Sequence, residues 1–537
     1  MKTVFEANRL ANYLEFVLQA YQEKEWVKQK EAALPKIEVS QTLSSLALIY
    51  EKIRTAVDFR AEHLFRRVAI ERILRRRLFA NKGGRGLAQG LVKELIWGRY
   101  LPNNAVPAKK IELIDQIIKK HLRLREKVIG STNGVFDHQA EVFLGLLATE
   151  IDELLVDQRE DEAWATALVQ WFQQRFDWLD QLTNEERGVL IYIAVRQAFL
   201  KSDEAIIRYH LLKHYFPSWS NADDETIDQI ADHFHSWQEK TNFYLSHPAG
   251  NRLFRYIQSQ ITPLFVLREI IENNWLEINS LLQNEEKLTS QIKEVCLRRY
   301  YQIGQKIRRG IIRSIIYIFA TKMLFAFFLE VPYEIWVLGR IPWLPLGINL
   351  IFPPALMFFI GLLIRPPGEE NTKRIIEGVK HFLFPLPEEE KSPFQIMNQK
   401  KGKFASVFKL LYLLLFLISF GGVSWLLWRL GFNLLGGIIF FFFVSLVLLF
   451  GFRVRWAANE LRVTPEKEGL VESLINLISL PFLDLGVRLS LGLSKLNVLM
   501  FVLDFLIEAP LKIIIDVIGE WTTFIRQKRA EVVEVPL

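Results

Sequence analysis

Four apolar runs in the second half of this chain constrain its fold more than any other feature. They are Ser314 to Val331 (SIIYIFATKMLFAFFLEV), Trp343 to Ile364 (WLPLGINLIFPPALMFFIGLLI), Leu410 to Trp428 (LLYLLLFLISFGGVSWLLW) and Phe432 to Phe452 (FNLLGGIIFFFFVSLVLLFGF). Each holds about 18–22 residues, which at about 1.5 Å rise per residue matches roughly 30 Å of hydrocarbon. Each reads as a membrane-spanning helix. The last two are apolar throughout, whereas the first two carry polar residues.

Lys and Arg orient the spans. Arg298, Arg299, Lys306, Arg308, Arg309 and Arg313 precede the first, and Arg340 alone separates the first from the second. Nine basic residues, from Arg365 to Lys409, separate the second from the third. Arg429 alone lies in the hairpin between the third and fourth, and Arg453, Arg455 and Arg462 follow the fourth. The alternation predicts a multi-pass protein of the plasma (inner) membrane with both termini in the cytoplasm.

The first 300 residues contain no uncharged apolar run of spanning length and are expected outside the bilayer. The N-terminus, MKTVFEANRLANYLEF, is broken by charges and has no signal-peptide h-region. Composition agrees with a chain in two parts: 50% hydrophobic and 24% charged residues give a mean hydropathy of +0.13. One cysteine, Cys296, excludes an internal disulfide and a multi-cysteine zinc site.

Apolar spacings of three and four predict an all-α class for this first part, a bundle or array of about eight to eleven helices. Leu46, Tyr50, Ile53, Val57, Ala61, Leu64 and Val68 form a packing seam, with Glu62–Arg66 and Glu71–Arg75 pairs outside it. That helix should end at Asn81-Lys82-Gly83-Gly84. Thr183 and Glu186 form a capping box that opens a helix running to about Leu200. Ser202 is expected to cap the next helix, and Pro217 to stop it. The predicted order is a cytoplasmic helical domain (1–300), a first transmembrane pair (301–365), a cytoplasmic loop (366–409) with a solvated linker at Pro385 to Pro393, a second transmembrane hairpin (410–453), and C-terminal amphipathic helices (454–537). In the last segment Asp504, Glu508, Lys512, Asp516 and Glu520 recur every four residues, and Asp484 pairs with Arg488 at the same spacing. A thin charged stripe on a wide apolar face fits the membrane interface, or packing on the cytoplasmic domain.

Two groups of residues stand out chemically. Glu51 to Tyr100 holds 13 Lys or Arg against 5 Asp or Glu, while the whole chain carries only +7. Arg66, Arg67, Arg72, Arg75, Arg76 and Arg77 form its centre. Such a stripe suits anionic lipid headgroups. Nucleic acid is disfavoured because few aromatic residues interleave the arginines. The competing reading pairs the stripe with the acidic runs Asp157–Glu162 or Asp223–Asp232.

The second group lies in the spans. Lys322 sits near the middle of the first, with Glu330 eight residues on. Pro353 and Pro354 lack N–H groups and free the carbonyls of Asn349 and Leu350. A buried cation beside a broken span is how transport sites are built, and the same contact can be purely structural. Elsewhere, Lys82-Gly83-Gly84-Arg85-Gly86 lacks the Gly-Lys-Ser/Thr of a phosphate loop. His210 and His214 at i, i+4, with Asp232, His233 and His235 soon after, could ligate a metal, but no HExxH is present and the stretch reads as an ordinary wet helix end. No nucleophile elbow or Cys–His pairing is present, and no cofactor site is legible. The sequence is expected to encode a membrane-anchored helical scaffold or interaction protein with a basic face and an unidentified protein partner. The alternatives are a small-solute or ion transporter or channel using the second span and Lys322, and a membrane enzyme without a motif.

Overall fold

The structure, a computed structural model, describes residues 12–39, 64–80, 86–130, 138–178, 182–384, 392–394, 405–459, 461–463, 470–494 and 521. These residues are all-α apart from loops and one short strand pair. The chain divides into two compact units, one within Arg9–Gln258 and Leu386–Ile396, the other within Ser259–Pro385 and Met397–Asn497.

The first unit is a stack of helices: α1 (Asn12–Ala32), α2 (Phe65–Ala80), α3 (Leu87–Trp97), α4 (Lys110–Ile129), α5 (His138–Leu155), α6 (Arg159–Gln173), α7 (Asn184–Ala198), α8 (Glu204–Tyr215), α9 (Asp224–Ser246) and α10 (Pro248–Gln260). Thr183 opens α7 with the expected capping box: its hydroxyl accepts from the Glu186 N–H, and the Glu186 carboxylate accepts from the Thr183 N–H. The cap of α8 is Asp203 rather than Ser202, its carboxylate accepting from the Ile206 N–H. Two cores form. One joins α2 to α5 through Ile70, Ile73, Leu91, Leu95, Ile118 and Ile151. The other joins α4, α5, α8 and α9 around Trp219, with Phe143 stacked on Phe234 at 4.7 Å.

Phe176–Trp178 (β1) pairs in parallel with Ser392–Phe394 (β2), which engages the end of the expected solvated linker; residues 385–391 lie outside the described residues. The seam from Leu46 to Ala61, the Gly83–Gly84 cap and the acidic stripe from Asp504 to Glu520 also lie outside them.

In the second unit, α11 (Thr262–Asn274) and α12 (Ile278–Leu282) lead into one continuous helix, Glu285–Leu338, of 54 residues. It comprises α13 (Glu285–Phe325), a π-helical turn (Ala326–Glu330) and α14 (Val331–Leu338). Together with α15 (Trp343–Leu363), α17 (Ala405–Arg429) and α18 (Leu434–Ala458), it supplies four helices long and apolar enough to cross a membrane. Among the described residues, twelve α-helices precede Glu285, against the eight to eleven that the sequence suggests.

The loop between the second and third spans contains α16 (Glu369–Leu383). Its apolar face, Ile375, Val379 and Phe382, is buried, and the helix packs on α11 and on the polar half of α13. Cys296 is buried in the same half of α13. Close helix contact in the apolar half rests on small residues. A Cβ added to Gly361 would meet Ile311 at 2.7 Å, and one on Gly451 would meet Ile360 at 2.8 Å. Phe327, Phe328, Trp336 and Leu434 point outward, as lipid-facing side chains do.

The described C-terminal helix, α19 (Leu470–Ser494), lies against α18 and α17. A Cβ at Gly486 would meet the Ser445 carbonyl oxygen at 2.5 Å, and Phe482 stacks on Phe420 at 4.6 Å. Ser445 is midway along α18, so this helix packs against the middle of the fourth apolar helix. Asp484 and Arg488 pair at 3.0 Å on its outer side.

Candidate intramembrane site

Val331-Pro332 shapes the site. Proline lacks the N–H that would continue the α-helical ladder, and the helix widens just before it: the Val331 N–H reaches back five residues to the Ala326 carbonyl. Four residues along an α-helix overshoot one turn by about 40° at 3.6 residues per turn, so Lys322, Ala326, Glu330 and Glu334 would drift around a regular helix. The wide turn absorbs part of that drift. Lys322, Glu330 and Glu334 are each 3% exposed or less, and Asn349 on the neighbouring α15 is 1% exposed.

The Lys322 ammonium donates to Glu330 Oε1 at 2.6 Å and lies 5.0 Å from the centre of the Phe443 ring. Asn349 Nδ2 donates to the same oxygen at 2.5 Å and to the Gly436 carbonyl at 3.2 Å. Because a carbonyl only accepts, the second bond fixes the amide's orientation. Asn433 caps α18: its Oδ1 accepts from the Gly436 N–H at 2.6 Å, and its Nδ2 donates to Glu334 Oε1 at 3.3 Å.

Glu330 Oε2, Glu334 Oε2 and Asn349 Oδ1 are buried without a partner. With every group ionised, one ammonium faces two carboxylates, a net charge of −1. A lone Lys at helix centre costs about 2.5–3.5 kcal/mol on insertion scales, and Glu330 offsets that for Lys322. Nothing comparable offsets Glu334.

The geometry joins Lys322, Glu330 and Asn349, three of the five intramembrane residues singled out by sequence. Lys322 bonds a carboxylate, where proline-freed carbonyls were the expected acceptors. Helix α15 runs on through Pro353 and Pro354, and Pro353 is buried one turn from Asn349. Sequence reasoning missed Glu334 and Asn433. It ended the first span at Val331, although Ile335-Trp336-Val337-Leu338 continues the apolar run. Asn433 reads as a loop residue until the third and fourth spans are placed side by side.

The arginine stripe lies on α2 and turns largely inward. Arg66 forks onto Asp152, with one bond of 3.1 Å. Arg67, 4% exposed, contacts Glu71 at 2.9 Å and also Asp203. Arg75 reaches Glu71 at 2.9 Å. Arg76 and Arg77 converge on buried Glu94. Arg72 is half-buried on the same helix. The counter-charges come from α2, α3, α5 and the α8 cap rather than from Asp157–Glu162 or Asp223–Asp232.

A second buried cluster in this unit centres on Glu150. Lys120 donates to it at 2.6 Å, His121 Nε2 contacts it at 2.7 Å and Trp219 Nε1 donates to it at 2.9 Å. Burial alone would raise the Glu150 carboxyl; the bond to His121 and the Lys120 charge outweigh it and hold the group at about 2. Burial pulls His121 below its ordinary value. His210 lies between Glu153 at 2.8 Å and Glu162 at 2.9 Å.

No protein-family model, curated protein or solved structure matches this chain.

Proposed function

We propose that this membrane protein moves a small ion or solute across the bilayer, and that Lys322, Glu330, Glu334 and Asn349 form its working site. One observation carries the reading: a desolvated ion pair among membrane-spanning helices with three unpartnered acceptor oxygens beside it. A polar group at that depth is expensive, and a surplus of acceptors is an unfinished coordination shell. Pro332 and the π-turn place the row on one face. The test is solute and ion flux in vesicles containing the purified chain. Glu330→Gln should abolish flux while leaving the protein folded; flux equal to wild type would overturn the reading.

A second reading, a membrane-anchored scaffold on which the helical unit binds a protein partner, draws support from one feature. The 54-residue helix Glu285–Leu338 carries a membrane span directly into a polar half on which α16 packs. Stoichiometric co-purification of a partner in mild detergent, lost when residues 1–258 are deleted, would favour it. Anionic-lipid binding by the arginine stripe belongs to this reading and competes with the carboxylates already paired to it.

Both readings use the plasma (inner) membrane with the two termini in the cytoplasm, as the basic residues suggest. Single cysteines at exposed Arg340 and Arg374, in a Cys296→Ser background, test this. An impermeant reagent on whole cells should label the first and not the second.

A further inference from the structure

We infer that the ligand of the intramembrane site is a proton, taken up by Glu334 and held by the Glu330–Glu334 pair. Naming it as the transported or coupling ion rests on the translocation reading; the binding itself does not.

Charge comes first. Lys322 balances one carboxylate, and a second, equally buried, is left over. Adding one proton to that carboxylate makes a neutral carboxylic acid and brings the cluster to zero net charge. Hydrogen bonding points the same way. Three acceptor oxygens in the buried cluster, Glu330 Oε2, Glu334 Oε2 and Asn349 Oδ1, have no partner. A carboxyl O–H supplies a donor and removes an acceptor at once.

The two carboxylates are not equivalent. Glu330 Oε1 receives an ammonium at 2.6 Å and an amide at 2.5 Å. Glu334 receives only the Asn433 amide, at 3.3 Å, and the nearest α18 N–H in that cap is already bonded to Asn433 Oδ1. The proton therefore settles on Glu334. The charged groups facing it are Glu330 and Lys322 of its own helix. From the packed elements come Asn349 and Asn433, both uncharged.

A metal cation fits less well. The Lys322 ammonium already occupies the Glu330 carboxylate and would repel a second cation, and Asn349 presents its N–H₂ to that carboxylate. Asn349 is the second, independent pointer to a ligand, a side chain 1% exposed whose oxygen is unpartnered inside the cluster. Glu334 also lies close to the end of the span: α14 ends at Leu338, and Gly339 turns the chain with φ +68°. Lys322 is twelve residues deeper, about 18 Å at 1.5 Å per residue. The row thus leads inward from one membrane face.

Infrared difference spectroscopy on the full chain in lipid tests the inference with the proton alone as probe. Wild type at neutral pH should show a protonated-carboxyl C=O band that shifts in D₂O and disappears on alkalinisation. Glu334→Gln should lose it. Glu330→Gln should lose it too, although Glu334 remains, because a single carboxylate is then balanced by Lys322. A difference spectrum between wild type and Glu334→Gln without that band overturns the inference, as a trapped water or metal ion with both carboxylates ionised would produce. Retention of the band in Glu330→Gln overturns the shared-charge argument. Proton flux, read by a pH dye inside the same vesicles, separates the two claims. The band without flux keeps the proton site and removes translocation, and flux without the band removes the proton site.

Discussion

The helical unit and the membrane helices both bury charge, and they treat it in opposite ways. Around Glu150 and Glu94, each buried carboxylate gathers more than one donor: Lys120, His121 and Trp219 on the first, Arg76 and Arg77 on the second. Around Lys322 the balance reverses, and three acceptors stand bare. A carboxylate that already receives several donors offers a ligand little. Bare acceptors clustered beside a buried ion pair, in a place without bulk water, call for an explanation. The contrast supports the proposal that the membrane cluster is the working site, while the arginine stripe is largely paired within the fold.

The sharpest way to break the comparison is Lys322→Met. Removing one partner of a buried pair strands the other, and a loss of about 3–5 kcal/mol in unfolding free energy is expected. Adding Glu330→Leu should restore most of it. Strictly additive losses in detergent unfolding would show that the pair is not coupled.

Acidification acts next, on the helical unit. Glu150 titrates lower in the fold than its ordinary 4.5, so its contribution is complete above that value and is lost as pH falls toward about 2. The whole loss is on the order of 3 kcal/mol, from about 1.4 kcal/mol per pK unit. His121 is also lowered, so the unfolded chain takes its proton first, and stability begins to fall below about pH 6.5. Hydrogen exchange in α4 and α5 should therefore accelerate in two stages. His121→Gln should remove the earlier one, and a profile flat from pH 7 to 3 would contradict both assignments.

Glu94→Gln should cost about 1.5–3 kcal/mol, the range for hydrogen bonds to charged groups. Exchange should speed up in α2 and α3 while vesicle flux is unchanged. A variant as stable as wild type would return Arg76 and Arg77 to the status of a free basic surface.

The smallest effect belongs to Asp484–Arg488, an exposed pair worth about 0.3–0.5 kcal/mol. Asp484→Asn should be nearly silent in thermal unfolding. A loss above about 1 kcal/mol would mean that α19 meets lipid or a partner on that side.

The sequence by itself determined the class and the plan: helices throughout the described residues, four of them long enough to cross a membrane, and the Thr183 cap. Those features are written in neighbouring residues, where periodicity, run length and spacing decide. It also placed Lys322, Glu330 and Asn349 among the candidates, because a polar residue in an apolar run stands out at any register. Only the tertiary structure decided their partners. The extra residue in the turn before Pro332 brings Glu330 to Lys322, and the packing of α15 and α18 brings Asn349 and Asn433 to the two carboxylates. The same holds for the arginines, whose stripe is plain in the sequence while Asp152, Glu94 and Asp203 are brought to it by folding. Charge pairing between helices depends on distances that no local pattern encodes.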